Sequence, residues 1–337
     1  MDARFDRQVR FAPFGPEGQR RLGAARVLVV GVGALGSSVA QNLARSGAGT
    51  LVLVDRDVVD ASNLARQVLF EDRHAREGAL KVDAAREALA RIGGPTLVEA
   101  HAAHLDADNV EELARGATLV VDGTDNLATR WLLNDFAVAR GVPWVYGGVV
   151  GARGLVLAVR PGAGPCLRCV FPDPPPPGSL PTCDTAGVLE PAVAAVAALQ
   201  SGAALRLAAD PERFAPALLE IDVWDGALRE RRLARDPGCP CCGRRHFPFL
   251  ESPPAQRERS ARGRGTVQVH PGRARPDLAA LERSLAPLAR SVERRGAVLR
   301  FEVEERRFTV FADGRALIEG VDDEGRALAL YDRYVGR

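Results

Sequence analysis

The chain has 337 residues, enough for about two domains at roughly 150 residues each, and 46% of them are hydrophobic, sufficient for a globular core. Lys and Arg number 45 against 43 Asp and Glu, so the net charge of +2 gives no global drive toward nucleic acid or an anionic membrane. Six cysteines are too few for a disulfide scaffold, and the polar start Met1-Asp-Ala-Arg-Phe5 lacks the apolar segment of a secretory leader; a soluble cytoplasmic protein is expected.

Residues 26–31 read as a buried strand that turns through Gly31-Val-Gly-Ala-Leu-Gly36 into a helix reaching about Ser46. Residues 50–55 read as a second strand, 79–92 as a helix, 96–100 as a strand and 118–122 as an apolar strand ending at Asp122. A helix over 127–140 and a strand at 143–147 continue the alternation, which predicts an open, doubly wound, mainly parallel Rossmann-like α/β sheet. Segment 149–160 reads as a strand leaving that pattern, and the proline run in 172–181 as an extended loop. The apolar stretch Val188–Ala209 contains Glu190, Pro191, Gln200 and Arg206, so it is expected to form a buried core helix over about 187–208 and not a membrane span. A strand follows near 217–224. Residues 251–265 are charged, Pro/Gly-rich and non-periodic, and mark a linker between a domain over 1–250 and a small α+β domain over 266–337. The latter reads β-α-β-β-β-α, with helices near 276–294 and 322–334.

The glycines Gly31, Gly33 and Gly36 can bring backbone N–H groups and a helix N-terminus against a phosphate, and Asp55, at the end of the next strand, can take ribose hydroxyls. A dinucleotide oxidoreductase would show the same pair of features. The polar residues just past the second strand, Asp57, Asn63, Arg66 and Gln67, and then Lys81, separate the possibilities. Two cations beside phosphates suit nucleotidyl transfer, which must hold negative charge in its transition state, whereas hydride transfer has no need of them. Lys81 is also the single lysine beside 44 arginines, which suggests a position that needs a compact ammonium and not a planar guanidinium. After the fourth strand, Asp122-Gly-Thr-Asp-Asn126 places Asp125 to hold Mg2+, although Asp122 or Asp125 could instead cap the following helix. Cys166-Leu-Arg-Cys169 and Cys239-Pro-Cys-Cys242 supply four thiolates for a closed tetrahedral structural Zn2+ site that would staple the crossover region, with redox chemistry the rival reading and Cys241 a substitute ligand. Cys183 precedes a long helix, where a thiol can be nucleophilic or simply inert.

Together, Arg4-Phe-Asp-Arg-Gln8, Gly31–Gly36, Ser62-Asn-Leu-Ala-Arg-Gln67, Thr124-Asp-Asn126, the two cysteine pairs and Thr182-Cys-Asp-Thr-Ala-Gly-Val188 resemble the ThiF/MoeB/HesA family, in that family's order and over roughly residues 4–245. The resemblance implies ATP-dependent adenylation of the C-terminal glycine of a ubiquitin-like sulfur-carrier protein ending in Gly-Gly, giving an acyl adenylate and pyrophosphate. It implies that Asp55 binds ribose, that Arg66 and Lys81 contact phosphates, and that Asp125, beside Asn126, holds Mg2+. Arg7 is implied to reach the ATP of a neighbouring subunit, making a homodimer, and Cys183 to join the carrier during sulfur transfer in thiamin-pathway members. A sulfur donor such as a cysteine desulfurase is implied as a further partner; the carrier, whether of thiamin, molybdopterin or tRNA-thiolation chemistry, is not. Ala34 departs from the glycine of many relatives, and residues 266–337 resemble no rhodanese-like domain and contain no cysteine. The competing classes are an NAD-dependent oxidoreductase and a non-catalytic scaffold of the same family.

Overall fold

The computed structural model describes residues 2–175, 183–212, 214–251, 266–269, 276–296, 298–321 and 323–336. The chain divides into two units, Met1–Ser252 and Pro253–Arg337. Most of the expected linker, residues 252–265, lies outside the described residues.

The first unit is built on one sheet of strands β1 (Arg26–Val30), β2 (Thr50–Asp55), β3 (Leu97–Ala102), β4 (Leu119–Asp122), β5 (Trp144–Val150), β6 (Arg153–Val159), β7 (Leu218–Asp222) and β8 (Ala227–Arg231). Their spatial order is β3-β2-β1-β4-β5-β6-β7-β8. The pairs from β3 through β5 are parallel and those from β5 to β8 antiparallel. The apolar runs of β1, β2 and β4 are buried almost throughout, as expected of strands covered on both faces. Segment 149–160 forms the end of β5, a turn, and β6, so the departure from the parallel pattern is an antiparallel hairpin.

Helices connect the parallel strands, and three matter for the site. Ala34–Ser46 follows β1, Lys81–Ile92 precedes β3, and Leu127–Arg140 follows β4. The sheet order reverses between β1 and β4, which opens a crevice at their carboxyl ends where ligands of such folds bind. The apolar helix Glu190–Ala209 packs on Ala34–Ser46, β5 and β6 and buries Val193, Val196, Ala197, Gln200 and Ala204. It is the one helix among the described residues long and apolar enough to cross a bilayer, and half of that stretch is buried inside the fold.

The second unit is an antiparallel sheet of β9 (Thr266–Val269), β10 (Ser291–Arg295), β11 (Val298–Val303), β12 (Arg306–Phe311) and β13 (Ala316–Glu319), ordered β10-β11-β12-β13-β9. Leu299, Phe301, Phe308, Val310 and Ile318 form its core with Leu281 and Tyr331 from the helices Leu278–Leu285 and Glu324–Tyr334. The expected helix over 276–294 is a correction: it ends at Leu285, and Ser291–Arg295 is a strand, giving β-α-β-β-β-β-α. Ala286 still has helical backbone, but Pro287 after it has no N–H to continue the helical ladder, and Ser291–Arg295 pairs backbone-to-backbone with β11.

Candidate active site

The turn after β1 is shaped by backbone packing. Gly31 has φ +79°, and a Cβ on Gly36 would sit 1.8 Å from the Gly31 carbonyl oxygen. A Cβ on Gly123, just past β4, would sit 2.4 Å from that same oxygen and 2.7 Å from the Gly36 Cα. Three bare backbones therefore press together and draw the ends of β1 and β4 close. Gly123 was not singled out in the sequence, where only its place after Asp122 could have marked it. Gly33 differs: a Cβ there would meet only Gln67 Nε2, at 3.7 Å. Gly33 starts the helix Ala34–Ser46 with no side-chain cap, so the free N–H groups of the first turn remain for a ligand.

Asp55, at the end of β2, is buried and faces this turn. Its Oδ2 accepts from the Val32 N–H at 2.7 Å and its Oδ1 from the Asp57 N–H at 2.8 Å. The carboxylate is thus fixed by backbone donors, and each oxygen keeps acceptor capacity for a hydroxyl. Asp57 in turn holds Lys81: the Lys81 N–H donates to the Asp57 carbonyl at 2.9 Å, and Nζ lies 3.1 Å from Asp57 Oδ2. Lys81 is buried, 7% exposed, at the first residue of its helix. Gln67 is also buried, and its Oε1 has no hydrogen-bond partner among the described residues. A buried amide oxygen left without a donor is costly unless a ligand satisfies it. Asn63 Oδ1 accepts from the Asp60 N–H in a capping box, and Arg66 donates to the Ser62 carbonyl at 2.8 Å from a half-buried position. The structure therefore gathers Gly33, Asp55, Asp57, Gln67 and Lys81, with Asn63 and Arg66 on the adjoining turn.

On the other lip, Asp122 is fully buried. Its Oδ1 accepts from the Thr124 N–H and hydroxyl, at 2.8 and 2.7 Å, and its Oδ2 from Arg130 Nε at 3.2 Å. Burial pushes its carboxyl up, opposed by Arg130 and Thr124. The helix Leu127–Arg140 is capped by neither aspartate: Asn126 Oδ1 accepts from the Thr129 N–H. Asp125 is left exposed at the crevice, with a carboxylate of the kind a hard divalent cation takes.

The four cysteines Cys166, Cys169, Cys239 and Cys242 come together with all Sγ atoms within 4.8 Å of one another. The distances are 3.6 Å for Cys166–Cys239, 3.4 Å for Cys169–Cys242 and 4.0 Å for Cys166–Cys169. Tetrahedral thiolates at about 2.3 Å from a metal would stand about 3.8 Å apart, so the set fits a closed metal site. Cys241 lies outside that set: it is buried and accepts from Asn134 Nδ2 at 3.2 Å, so the substitute-ligand reading is not needed. Cys183 opens the short helix Cys183–Ala186, and its side chain lies outside the described residues. The next turn is placed: the Gly151 N–H donates to the Gly187 carbonyl at 2.9 Å, which brings the chain after Cys183 to the end of β5.

Arg7 is exposed in the turn Asp6–Val9, away from the crevice. Its neighbour Gln8 donates to Gln19 Oε1 and to the Ser46 carbonyl, at 2.7 and 3.0 Å. Ser46 ends the helix whose start forms the glycine turn. At 1.5 Å per residue those ends are about 18 Å apart, so Arg7 does not serve this chain's own crevice.

A doubly wound sheet with a glycine turn, a carboxylate and a buried lysine at its switch point has the build of a nucleotide-binding fold, and four of its cysteines are gathered as a metal site requires. Residues 5–241 match the ThiF family, and the chain belongs to it. It is 38% identical over 339 residues to the sulfur carrier protein ThiS adenylyltransferase of Bacillus subtilis (strain 168), covering 100% of both chains. It is 39% identical over 241 residues to the SAMP-activating enzyme E1 of Haloferax volcanii, covering 71% of this chain and 88% of that one. Among solved structures, E. coli MccB with ATP superposes at TM-score 0.63 with 21% identity over 72% of this chain and 75% of that one, a likeness of fold. Membership of this family sets aside the oxidoreductase reading.

Proposed function

We propose that this chain is an ATP-dependent adenylyltransferase that activates the C-terminal glycine of a ubiquitin-like sulfur-carrier protein. The observation that carries the proposal is the end-to-end match to a ThiS adenylyltransferase. The crevice supports it, with Asp55 and Gln67 against the glycine turn and Lys81 paired with Asp57, two residues beyond Asp55.

The carrier's terminal carboxylate is ionised at neutral pH, so the protein has no base to supply. The carboxylate attacks the α-phosphorus of ATP and pyrophosphate leaves, giving the acyl adenylate. Positioning and charge neutralisation are the work left to the residues. The free N–H groups of the Gly33 turn would hold phosphate oxygens, Asp55 the ribose hydroxyls, and Gln67 Oε1 a donor of the nucleotide. Lys81 and Arg66 would neutralise phosphate charge; Arg66 would leave the Ser62 carbonyl to do so. Asp125, beside Asn126, would hold Mg2+, which when bound supplies further neutralisation of phosphate charge. The cysteine knuckle would hold structural Zn2+, and Cys183, carrying a persulfide from the sulfur donor, would attack the activated carbonyl and release AMP, joining the carrier as an acyl disulfide. Arg7 would reach the nucleotide of a second copy, making the enzyme a homodimer in the cytoplasm, with a cysteine desulfurase a fitting sulfur donor.

Pyrophosphate–ATP exchange tests the reading. Exchange is expected only with Mg2+ and a carrier ending in Gly-Gly. Exchange that proceeds unchanged without a carrier, or with one lacking the terminal glycine, would contradict it.

A further inference from the structure

Behind the exposed lip of the crevice stands a charged group that none of the roles above uses. The Arg130 side chain, 11% exposed, projects from the first turn of the helix Leu127–Arg140 into the space between β4 and β5. Its Nε donates to Asp122 Oδ2 at 3.2 Å. Its Nη2 donates to two main-chain carbonyls, Thr124 at 2.6 Å and Gly147 at 3.1 Å. Its guanidinium carbon lies 5.2 Å from the centre of the Tyr146 ring. One planar cation thereby fastens the turn after β4 to the neighbouring strand β5, in a fan of bonds that a lysine ammonium could not reproduce.

The same turn is held from a second side. Gln200, on the apolar core helix, donates from Nε2 to the Asp122 carbonyl at 2.7 Å. Room for its amide exists only because residue 147 is glycine, where a Cβ would sit 2.3 Å from Gln200. Asp122, Thr124 and Asn126 are thus all engaged, and the residue left pointing outward is Asp125. A buried ion pair adds little stability over well-packed apolar side chains, so stability alone is a weak account of this one.

We propose that Arg130 is a positioning residue for nucleotide transfer: it fixes the Thr124 carbonyl against β5 and so sets the direction in which Asp125 offers its carboxylate to the divalent cation accompanying ATP. This rests on the adenylyltransferase reading. The test uses the whole chain without carrier. Mn2+ is titrated into enzyme and ATP, and free Mn2+ is followed by electron paramagnetic resonance. Arg130→Lys is expected to weaken Mn2+ retention about tenfold, the cost of one charge-assisted hydrogen bond, while ATP binding in chelator stays at the wild-type level. A folded Arg130→Lys enzyme that holds Mn2+ like the wild type would overturn the proposal. Hydrogen exchange on the unmodified enzyme gives a reading that no folding defect can confound. The Thr124 amide, bonded to Asp122 Oδ1 at 2.8 Å, is expected to exchange slowly without metal or nucleotide, and exchange at the rate of a free peptide would also overturn it. An enzyme that adenylates no carrier would refute the functional reading and leave both of these results standing.

Discussion

Replacing Lys81 by arginine keeps the charge and changes its shape, and the structure allows the cost to be worked out. Nζ sits 3.1 Å from Asp57 Oδ2 in a position 7% exposed, at the first residue of a helix whose N–H is already held by Asp57. The backbone there cannot retreat to make room for a longer, planar group. If the guanidinium charge moves from about 4 to about 6 Å from a phosphate, the Coulomb attraction at an effective dielectric of about 20 falls from about 4 to about 2.8 kcal/mol. Losing one hydrogen bond to a charged oxygen adds about 1.5–3 kcal/mol. The sum, about 3–4 kcal/mol, corresponds to a loss of roughly 10²–10³-fold in rate, the range found on removing one stabilising donor from an enzyme site. Carrier-dependent pyrophosphate–ATP exchange is the assay, with thermal unfolding and metal content as controls. Exchange within about threefold of wild type in Lys81→Arg would refute the reasoning, because about 0.7 kcal/mol is all that threefold represents.

The two glycines of the turn should separate. Gly36→Ala is expected to disrupt folding, because its Cβ would lie 1.8 Å from a carbonyl oxygen; Gly33→Ala is expected to fold, because its nearest neighbour is a side-chain nitrogen at 3.7 Å, and to lose ATP affinity, as calorimetry beside thermal unfolding would show. Chelator treatment is expected to release about one zinc per chain and lower the melting temperature. Cys239→Ser should do the same, whereas Cys241→Ser should retain the metal by elemental analysis. Cys183→Ala is expected to leave exchange near wild type while abolishing any covalent carrier adduct, and an unchanged adduct on a non-reducing gel would remove Cys183 from the chemistry.

Much of the first unit was legible because its strands are buried on both faces. Such strands show as unbroken apolar runs, and β1, β2 and β4 fall within a residue or so of their expected limits. The helix Leu127–Arg140 falls on its expected limits, although its cap is Asn126 and neither of the two aspartates expected to compete for that role. Strand β10 was not legible, because Ser-Val-Glu-Arg-Arg carries a single half-buried apolar residue and owes its conformation to pairing with β11.

The candidate site divides in the same way. Residues adjacent in sequence, such as Asp55, Asp57 and Gln67, could be grouped from the sequence alone. Arg130, Gly147 and Gln200 could not, because they lie on separate elements and meet at Asp122 and Thr124 only through the order of β4 and β5 and the return of the long apolar helix. The place of Cys241 was equally hidden: it stands next to Cys242 and two residues after Cys239, and the fold turns it to Asn134 while those two join the four-cysteine cluster.

The most direct measurement is the intact mass of candidate carriers ending in Gly-Gly after brief incubation with the enzyme, ATP and Mg2+. At least one carrier is expected to gain the mass of a single AMP, and to lose it again on adding pyrophosphate. If every such carrier keeps its mass while the enzyme is folded and loaded with ATP, the account of this crevice as a site of carboxylate adenylation is wrong.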